Sequence, residues 1–384
     1  DAVSEVKHVF EEFHGLVYKT HDSKLRLHPL LRQFLYLKYM QIDRSEYLHT
    51  HSMLADIYEK RRQYITAFAH AIASNSFKDA TRIMRRIKER YNPIQRTNLL
   101  DGTLDEISPA LLFSNTTIFL QRCMPEELML ALVQPLTETI RLETDPYKLA
   151  RLQHRLGCIH FHLGQIQSAQ RLLESSLGNA SPQSNVDVMI FNYQLLADCC
   201  LIRGDIDEAV RNARNALFLA EQHQLRVLQF HSLEVFSRIR LATQDIDQAR
   251  DYIEQAMELI SEDDYENFWL YTAMSTIDRA DGMADDAVQH AQKALDIVKD
   301  SLSGYDRAYA HLTLAKALLS AGKDGEAIEH FKAAYKLSSL SKLLHAEVLE
   351  SMIPVSTDGK ACMRYEQELH TLITENEYTW ISTD

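Results

Sequence analysis

The chain has 384 residues, 46% hydrophobic and 25% charged, with only 11 Gly and 8 Pro. So few breakers leave little room for sheet turns and point to a mostly helical protein. The formal net charge of −13 is uneven: residues 1–100 carry 17 basic and 11 acidic groups, or +6, and the remainder 24 and 43, or −19. The acidic remainder would repel nucleic acid, and no run approaches the roughly 18 apolar residues of a membrane helix.

Ser4 to Phe13 is expected to form an amphipathic helix, with Val6, Val9, Phe10 and Phe13 on one side and Gly15 ending it. Two extended runs follow, Leu16-Val17-Tyr18 and Leu25-Arg26-Leu27. Thr20-His21-Asp22-Ser23 between them is a turn candidate, so the order signals a β-hairpin. Pro29 can open the next helix, where its missing N–H would be unsatisfied anyway; Leu30, Leu31, Phe34, Leu35 and Leu37 give that helix its apolar side.

Helix, hairpin and the run Leu25-Arg26-Leu27-His28-Pro29-Leu30-Leu31-Arg32-Gln33-Phe34-Leu35 resemble the end of the winged-helix module in MalT-like regulators, bacterial transcription activators of the LuxR family. His28 is read as fixing the strand-to-helix junction, since no nucleophile or carboxylate adjoins it in sequence. The resemblance continues through Tyr47 to Tyr58 and Tyr64 to Ala73, a helical pair in which His49, Ala55, Tyr58, Ala67, His70 and Ala71 fall at matching places. It implies an all-α fold: a right-handed superhelix of tetratricopeptide-like hairpins behind a small winged-helix remnant. In such relatives a nucleotide-binding switch domain of the STAND type precedes the winged helix, and a DNA-binding helix-turn-helix ends the chain. No G-x-x-x-x-G-K-[ST] occurs in this sequence, and Lys360 to Ile381 lacks a basic recognition-helix pattern. The resemblance therefore implies no cofactor here, with ATP belonging to an upstream domain and DNA contacted only through a domain outside the sequence. The abrupt helical start without Met is that expected of a piece of a longer protein.

Phe77-Lys78-Asp79-Ala80 opens a further helix, and the stretch Lys78, Arg82, Arg85, Arg86, Lys88, Arg90 is read as a solvated face, with an anionic partner as the alternative. Leu111 to Phe119 and Glu126 to Leu142 are further helices within a less regular segment.

Five segments then repeat at a period of about 40 residues: Gly164 to Ala169, Gly204 to Ala209, Gln244 to Ala249, Gly282 to Ala287 and Gly322 to Ala327. A turn residue is followed five positions on by Ala. Seven residues later comes Ser176, Ala216, Ala256, Ala294 or Ala334, and seven before the turn comes Gly157, Ala197, Ser237, Ser275 or Ala315. Ala55, Ala67 and Ser74 keep the same spacing. Small columns let helices approach closely, glycine suits a left-handed helix end, and Asp205, Asp245 and Asp324 can cap the next helix. The expected divisions are 1–42, the end of a winged helix; 43–148, a helical linker with irregular repeats; 149–340, five repeats; and 341–384, capping helices.

A helical hairpin cannot bury its apolar face alone, so stacked copies share one core and leave a curved binding surface. In a tetratricopeptide-like superhelix the concave wall comes from the first helix of each pair, at 13, 10, 6 and 3 residues before the turn. Those offsets give Arg151, His154, Cys158 and Phe161; Phe191, Gln194, Asp198 and Leu201; His231, Glu234, Arg238 and Leu241; Trp269, Thr272, Thr276 and Arg279; and Tyr309, Leu312, Lys316 and Leu319. Such a mixture of aromatics and both charges suits a polar ligand or peptide, although any hydrated groove shows some of it. Trp269, Arg238 and Arg279 are the first candidates, because Trp and Arg most often anchor interfaces.

Other chemistry is weaker. His154, Cys158 and His162 share a helix face, but residues i and i+8 lie about 12 Å apart along a helix, too far for one ion. No metal site and no catalytic residue are assigned, and His160 is read as core. The cysteines, Cys123, Cys158, Cys199, Cys200 and Cys362, lack a repeated spacing; free thiols in a reducing cytoplasm fit best. The expected function is that of a sensor in a MalT-like regulator. It would bind an inducing small molecule or peptide, or a regulatory protein, and so control the switch ATPase of the same chain. The alternative is a scaffold or peptide receptor without an inducer.

Overall fold

A computed structural model describes residues 17–19, 25–27, 44–74, part of 76–86, and 126–376 apart from 184, 262–265, 300–303, 340 and 357. The expected helices Ser4 to Phe13, from Pro29, and Leu111 to Phe119 lie outside these residues, as do His28, Lys78, Arg85, Lys88 and Arg90. The chain forms two compact units, Asp1–Arg96 and Thr97–Asp384.

In the first unit, strands β1 (Val17–Lys19) and β2 (Leu25–Leu27) pair antiparallel, with Val17 opposite Leu27 and Lys19 opposite Leu25. The hairpin thus forms, its first strand one residue later than the apolar run suggests. Helices α1 (Arg44–Lys60) and α2 (Tyr64–Ala73) meet at Arg62, whose φ of 59° is left-handed. Ala55 and Ala67 are buried in the seam between them, as the small-residue spacing requires. Of the basic stretch, Arg82 pairs with Glu59 and Asp79, and Arg86 with Glu59 at 3.2 Å. These two guanidiniums answer a buried carboxylate of their own unit.

The second unit begins with α3 (Glu126–Leu142), the span the sequence predicts. Five hairpins follow: α4 (Pro146–His162) with α5 (Ile166–Asn179), α6 (Val186–Ile202) with α7 (Ile206–Gln222), α8 (Arg226–Ala242) with α9 (Ile246–Met257), α10 (Asn267–Ala280) with α11 (Ala284–Val298), and α12 (Gly304–Ser320) with α13 (Asp324–Ser338). A sixth pair, α14 (Lys342–Met352) and α15 (Gly359–Asn376), completes the superhelical arrangement.

The columns explain the hairpins. Ala169, Ala209, Ala249, Ala287 and Ala327 are all fully buried, as are Ser176, Ala216, Ala256, Ala294 and Ala334. Where the first helix offers serine, the hydroxyl is satisfied across the seam: Ser237 donates to the Ala249 carbonyl at 2.9 Å and Ser275 to that of Ala287 at 2.8 Å. Gly164, Gly204, Gly282 and Gly322 have φ from 70° to 78°, and Gln244 is held at 59° in the same role. Asp205 and Asp245 accept from backbone amides as caps. Asp324 does not; the helix starts at Asp324 itself, with Lys323 as the preceding cap residue.

The sixth pair packs back on the first. The Lys342 amide donates to the Leu163 carbonyl at 3.4 Å, and Ala346, Leu349 and Leu369 share one apolar cluster with Ile166, Leu173, Leu196 and Cys199. The His162 ring stands edge-on to Tyr305 at 5.1 Å. The segment expected merely to cap the stack therefore also covers its beginning.

Candidate functional site

The first helices of the pairs present the inner face, and the four offsets behave differently. At 13 before the turn, Arg151, Phe191, His231, Trp269 and Tyr309 are all partly exposed. At 10 before it, His154, Gln194, Glu234, Thr272 and Leu312 are all buried. The reason is geometric: this column points into the seam between successive first helices. Gln194 donates to the Leu228 carbonyl and to Ser232, both at 2.9 Å, and the Thr272 hydroxyl donates to the Phe268 carbonyl at 2.6 Å. As free groove residues, His154, Gln194 and Thr272 are corrected by this burial; Glu234, equally buried, turns its carboxylate to Arg238.

His154 shows how complete the seam is. Its Nδ1 lies 2.7 Å from Asn192 Oδ1, Asn192 Nδ2 donates to Ser176 Oγ at 2.8 Å, and Ser176 Oγ donates to the Ala150 carbonyl at 2.7 Å. Burial, reinforced by the Arg155 charge, pushes the imidazole down to about 3, so it stays neutral. Cys158 lies against His154, 3.5 Å from its Nε2, while His162 turns to Tyr305. Among the described residues no three His, Cys, Asp or Glu side chains converge as ligands would. His160 is half-buried and bonded to Gln165.

At the first pair, Arg151 makes a double hydrogen bond to Asp187, at 3.1 and 3.3 Å, and Phe161 packs on the Ile166 and Leu173 cluster. Phe191 stacks on His154 at 5.8 Å. His231 stands 3.8 Å from Glu266, and Arg279 is exposed.

The remaining candidates come together. Arg238 Nη1 lies 2.7 Å from Asp198 Oδ1 of α6, and Arg238 Nε lies 2.7 Å from Glu234 one turn earlier on α8. A third of the Arg238 side chain still reaches solvent although protein surrounds it, as expected in a concavity. Burial alone would lower this guanidinium; the two carboxylates hold it well above its ordinary value. Burial pushes the Asp198 carboxyl up to about 6, with Glu234 adding to the shift and Arg238 opposing it.

Tyr309 on α12 lies within electrostatic reach of this group. Burial raises its phenol, and the Glu347, Arg238, Glu234 and Asp198 charges all act on it. Lys316 of α12 pairs with Glu347 of α14 at 2.8 Å. Trp269 of α10 leans on Tyr309 at 5.8 Å, and Tyr305 stacks on Tyr309 at 6.2 Å. Helices α6, α8, α10, α12 and α14 thus each contribute to one polar and aromatic patch. Tyr305 and Glu347 are absent from the sequence-based set. Tyr305 lies one turn before the earliest offset used, and Glu347 lies in a helix read as a cap.

In sequence, the tetratricopeptide repeat family matches residues 266–339, α10 to α13. No curated protein sequence matches the chain. Among solved structures, a Rap protein complexed with competence and sporulation factor is similar at 11% identity and TM-score 0.56, over 91% of this chain and 98% of that one. The Rap conjugation gene regulator of plasmid pLS20, in complex with the Phr* peptide, is similar at 10% identity and TM-score 0.56, over 86% and 93%. A STAND protein with a tetratricopeptide repeat sensor from Pyrococcus horikoshii aligns at 12% identity and TM-score 0.46, over 97% of this chain and 52% of that one. The chain thus spans about half the length of that protein. The family match and the two Rap structures show a tetratricopeptide-like repeat fold.

Proposed function

We propose that the inner face of the second unit is the sensing surface of a transcription regulator of the MalT-like kind, and that it takes a peptide or a peptide-like segment of a regulatory protein. The observation that carries the reading is the gathering of Asp198, Glu234 and Arg238 in one ion-pair cluster, with Tyr309 and the Lys316–Glu347 pair within its electrostatic reach, from helices α6, α8, α12 and α14. Charged groups brought together in a concavity, with Trp269 and Tyr305 beside them, supply both hydrogen bonds and stacking area. The Rap structures support the peptide part of this reading, since both share the fold over nearly their whole length and one holds a peptide. The regulator part rests on the hairpin and the Leu25 to Leu35 run. Binding would act by favouring one arrangement of the superhelix over another, because a ligand with equal affinity for both shifts nothing.

Trp269 and Trp380 are the two tryptophans of the chain, so in a Trp380→Phe background Trp269 emission reports on the inner face alone. Peptide pools titrated into that protein should change its emission saturably, and Arg238→Ala should weaken the change. Equal calorimetric binding by the parent, Trp269→Ala and Arg238→Ala would remove the assignment of this face.

A further inference from the structure

Three of the four Arg and Lys candidates of the inner face already have a carboxylate partner. Arg151 is held by Asp187, Lys316 by Glu347, and Arg238 by two carboxylates at once. Arg279, the remaining cation of the set, is exposed. At Arg151, Lys316 or Arg238 an incoming anion would have to displace an internal carboxylate from a partly desolvated pair, which is costly. A cation meets the opposite situation.

Asp198 and Glu234 share a single guanidinium, so the cluster carries one negative charge more than its own side chains neutralise. The Asp198 side chain is about nine-tenths buried, and its Oδ1 is shut off from solvent. That oxygen lies 2.7 Å from Arg238 Nη1. Tyr309, within electrostatic reach of the same carboxylates, joins the partly exposed rings of Tyr305 and Trp269, and aromatic faces attract cations.

We infer that the occupant of the inner face is a basic peptide, with a lysine or arginine side chain that donates to Asp198 and Glu234 and lies against the Trp269 and Tyr309 rings. This rests on the reading of the inner face as a peptide-binding surface and adds the charge of the peptide. Planar guanidinium matches a carboxylate flanked by aromatic rings better than ammonium does, so arginine binds more tightly than lysine.

The test uses three fluorescent nonapeptide pools of equal hydropathy, titrated into the whole chain by anisotropy: one with a central Arg or Lys, one with Asp or Glu, and one neutral. The basic pool should bind about tenfold or more tightly than the other two, and Asp198→Asn and Glu234→Gln should each erase that preference while retaining the parent's circular dichroism. The Glu234→Gln arm keeps the test decisive where Asp198→Asn alters folding. Equal binding of the three pools, or preference for the acidic one, overturns the basic-peptide inference and leaves the binding surface standing. Absence of binding by every pool overturns both.

Discussion

The Lys342 amide reaches the Leu163 carbonyl at 3.4 Å, tying the start of the sixth helical pair to the end of the first inner helix. In an open stack each unit touches only its neighbours, and a core mutation is felt locally. Leu349 is fully buried between the two ends of the stack. Leu349→Ala is expected to lower stability by about 2–5 kcal/mol. Hydrogen exchange should accelerate in α5 as well as in α15; acceleration confined to the C-terminal pair would show that the contact does not couple the ends.

Gln244 is the one turn residue of the five repeats that is not glycine, yet its φ of 59° is that of its glycine counterparts. A left-handed conformation costs an L-residue roughly 1–2 kcal/mol, while glycine adds about 0.5–1 kcal/mol of unfolded-state entropy. Gln244→Gly should therefore raise stability by roughly 0.5 kcal/mol, read as a shift of the urea midpoint at constant slope. A lower midpoint would mean that the glutamine side chain contributes more than its backbone strain removes.

Gly157 occupies a small-residue column for a different reason. A Cβ there would stand 2.9 Å from Leu173 Cδ2 and 3.1 Å from its Cγ. Leu173 is fully buried, so there is no room to yield. Gly157→Val should destabilise by about 1–3 kcal/mol through overpacking, measured by chemical denaturation.

Acid should loosen the molecule through its buried histidines. Burial depresses His154 to about 3 and His162 to about 4, against an ordinary value near 6.5. On acidification the unfolded chain takes these protons first. The stability the neutral rings provide is thus complete above about pH 6.5 and is lost as pH falls toward the folded values, by about 1.4 kcal/mol per unit for each ring. His162 faces Tyr305, so contact between the ends of the stack should weaken early. Thermal midpoints that stay flat from pH 7 to pH 4.5 would contradict this.

Asp198 works in the other direction. Its carboxyl, raised to about 6 by burial, holds a proton in the folded state that the unfolded chain releases nearer 3.8. Its contribution is therefore favourable at low pH and is lost as pH rises through about 4 to 6. Asp198→Asn removes that term, so the variant should lose stability more steeply than the parent on acidification between those values. Parallel stability profiles would show that Asp198 is not perturbed.

The hairpins were legible because their determinants are local and repeated. A left-handed turn residue and three small columns fix each one, and Ala249 or Ala287 has no other place to go than the seam. The inner face was half legible. Its offsets located Trp269, Tyr309, Arg238 and Asp198, but they also selected His154, Gln194 and Thr272, which neighbouring helices consume. Periodicity tells which side of a helix turns inward, not how closely the next helix follows. Glu347 and Tyr305 were missed for another reason: Tyr305 stacks on Tyr309 from one turn before the earliest offset, and Glu347 pairs with Lys316 from a helix whose turn does not carry the repeat pattern.

The return of the sixth pair to the first sets a limit on how the chain can vary. An open array tolerates gain or loss of a unit by duplication or deletion, since its ends stay free. Here an inserted forty-residue unit would carry Lys342 past Leu163 and strip the cover from Ile166 and Leu173, so the number of hairpins is dictated by circumference.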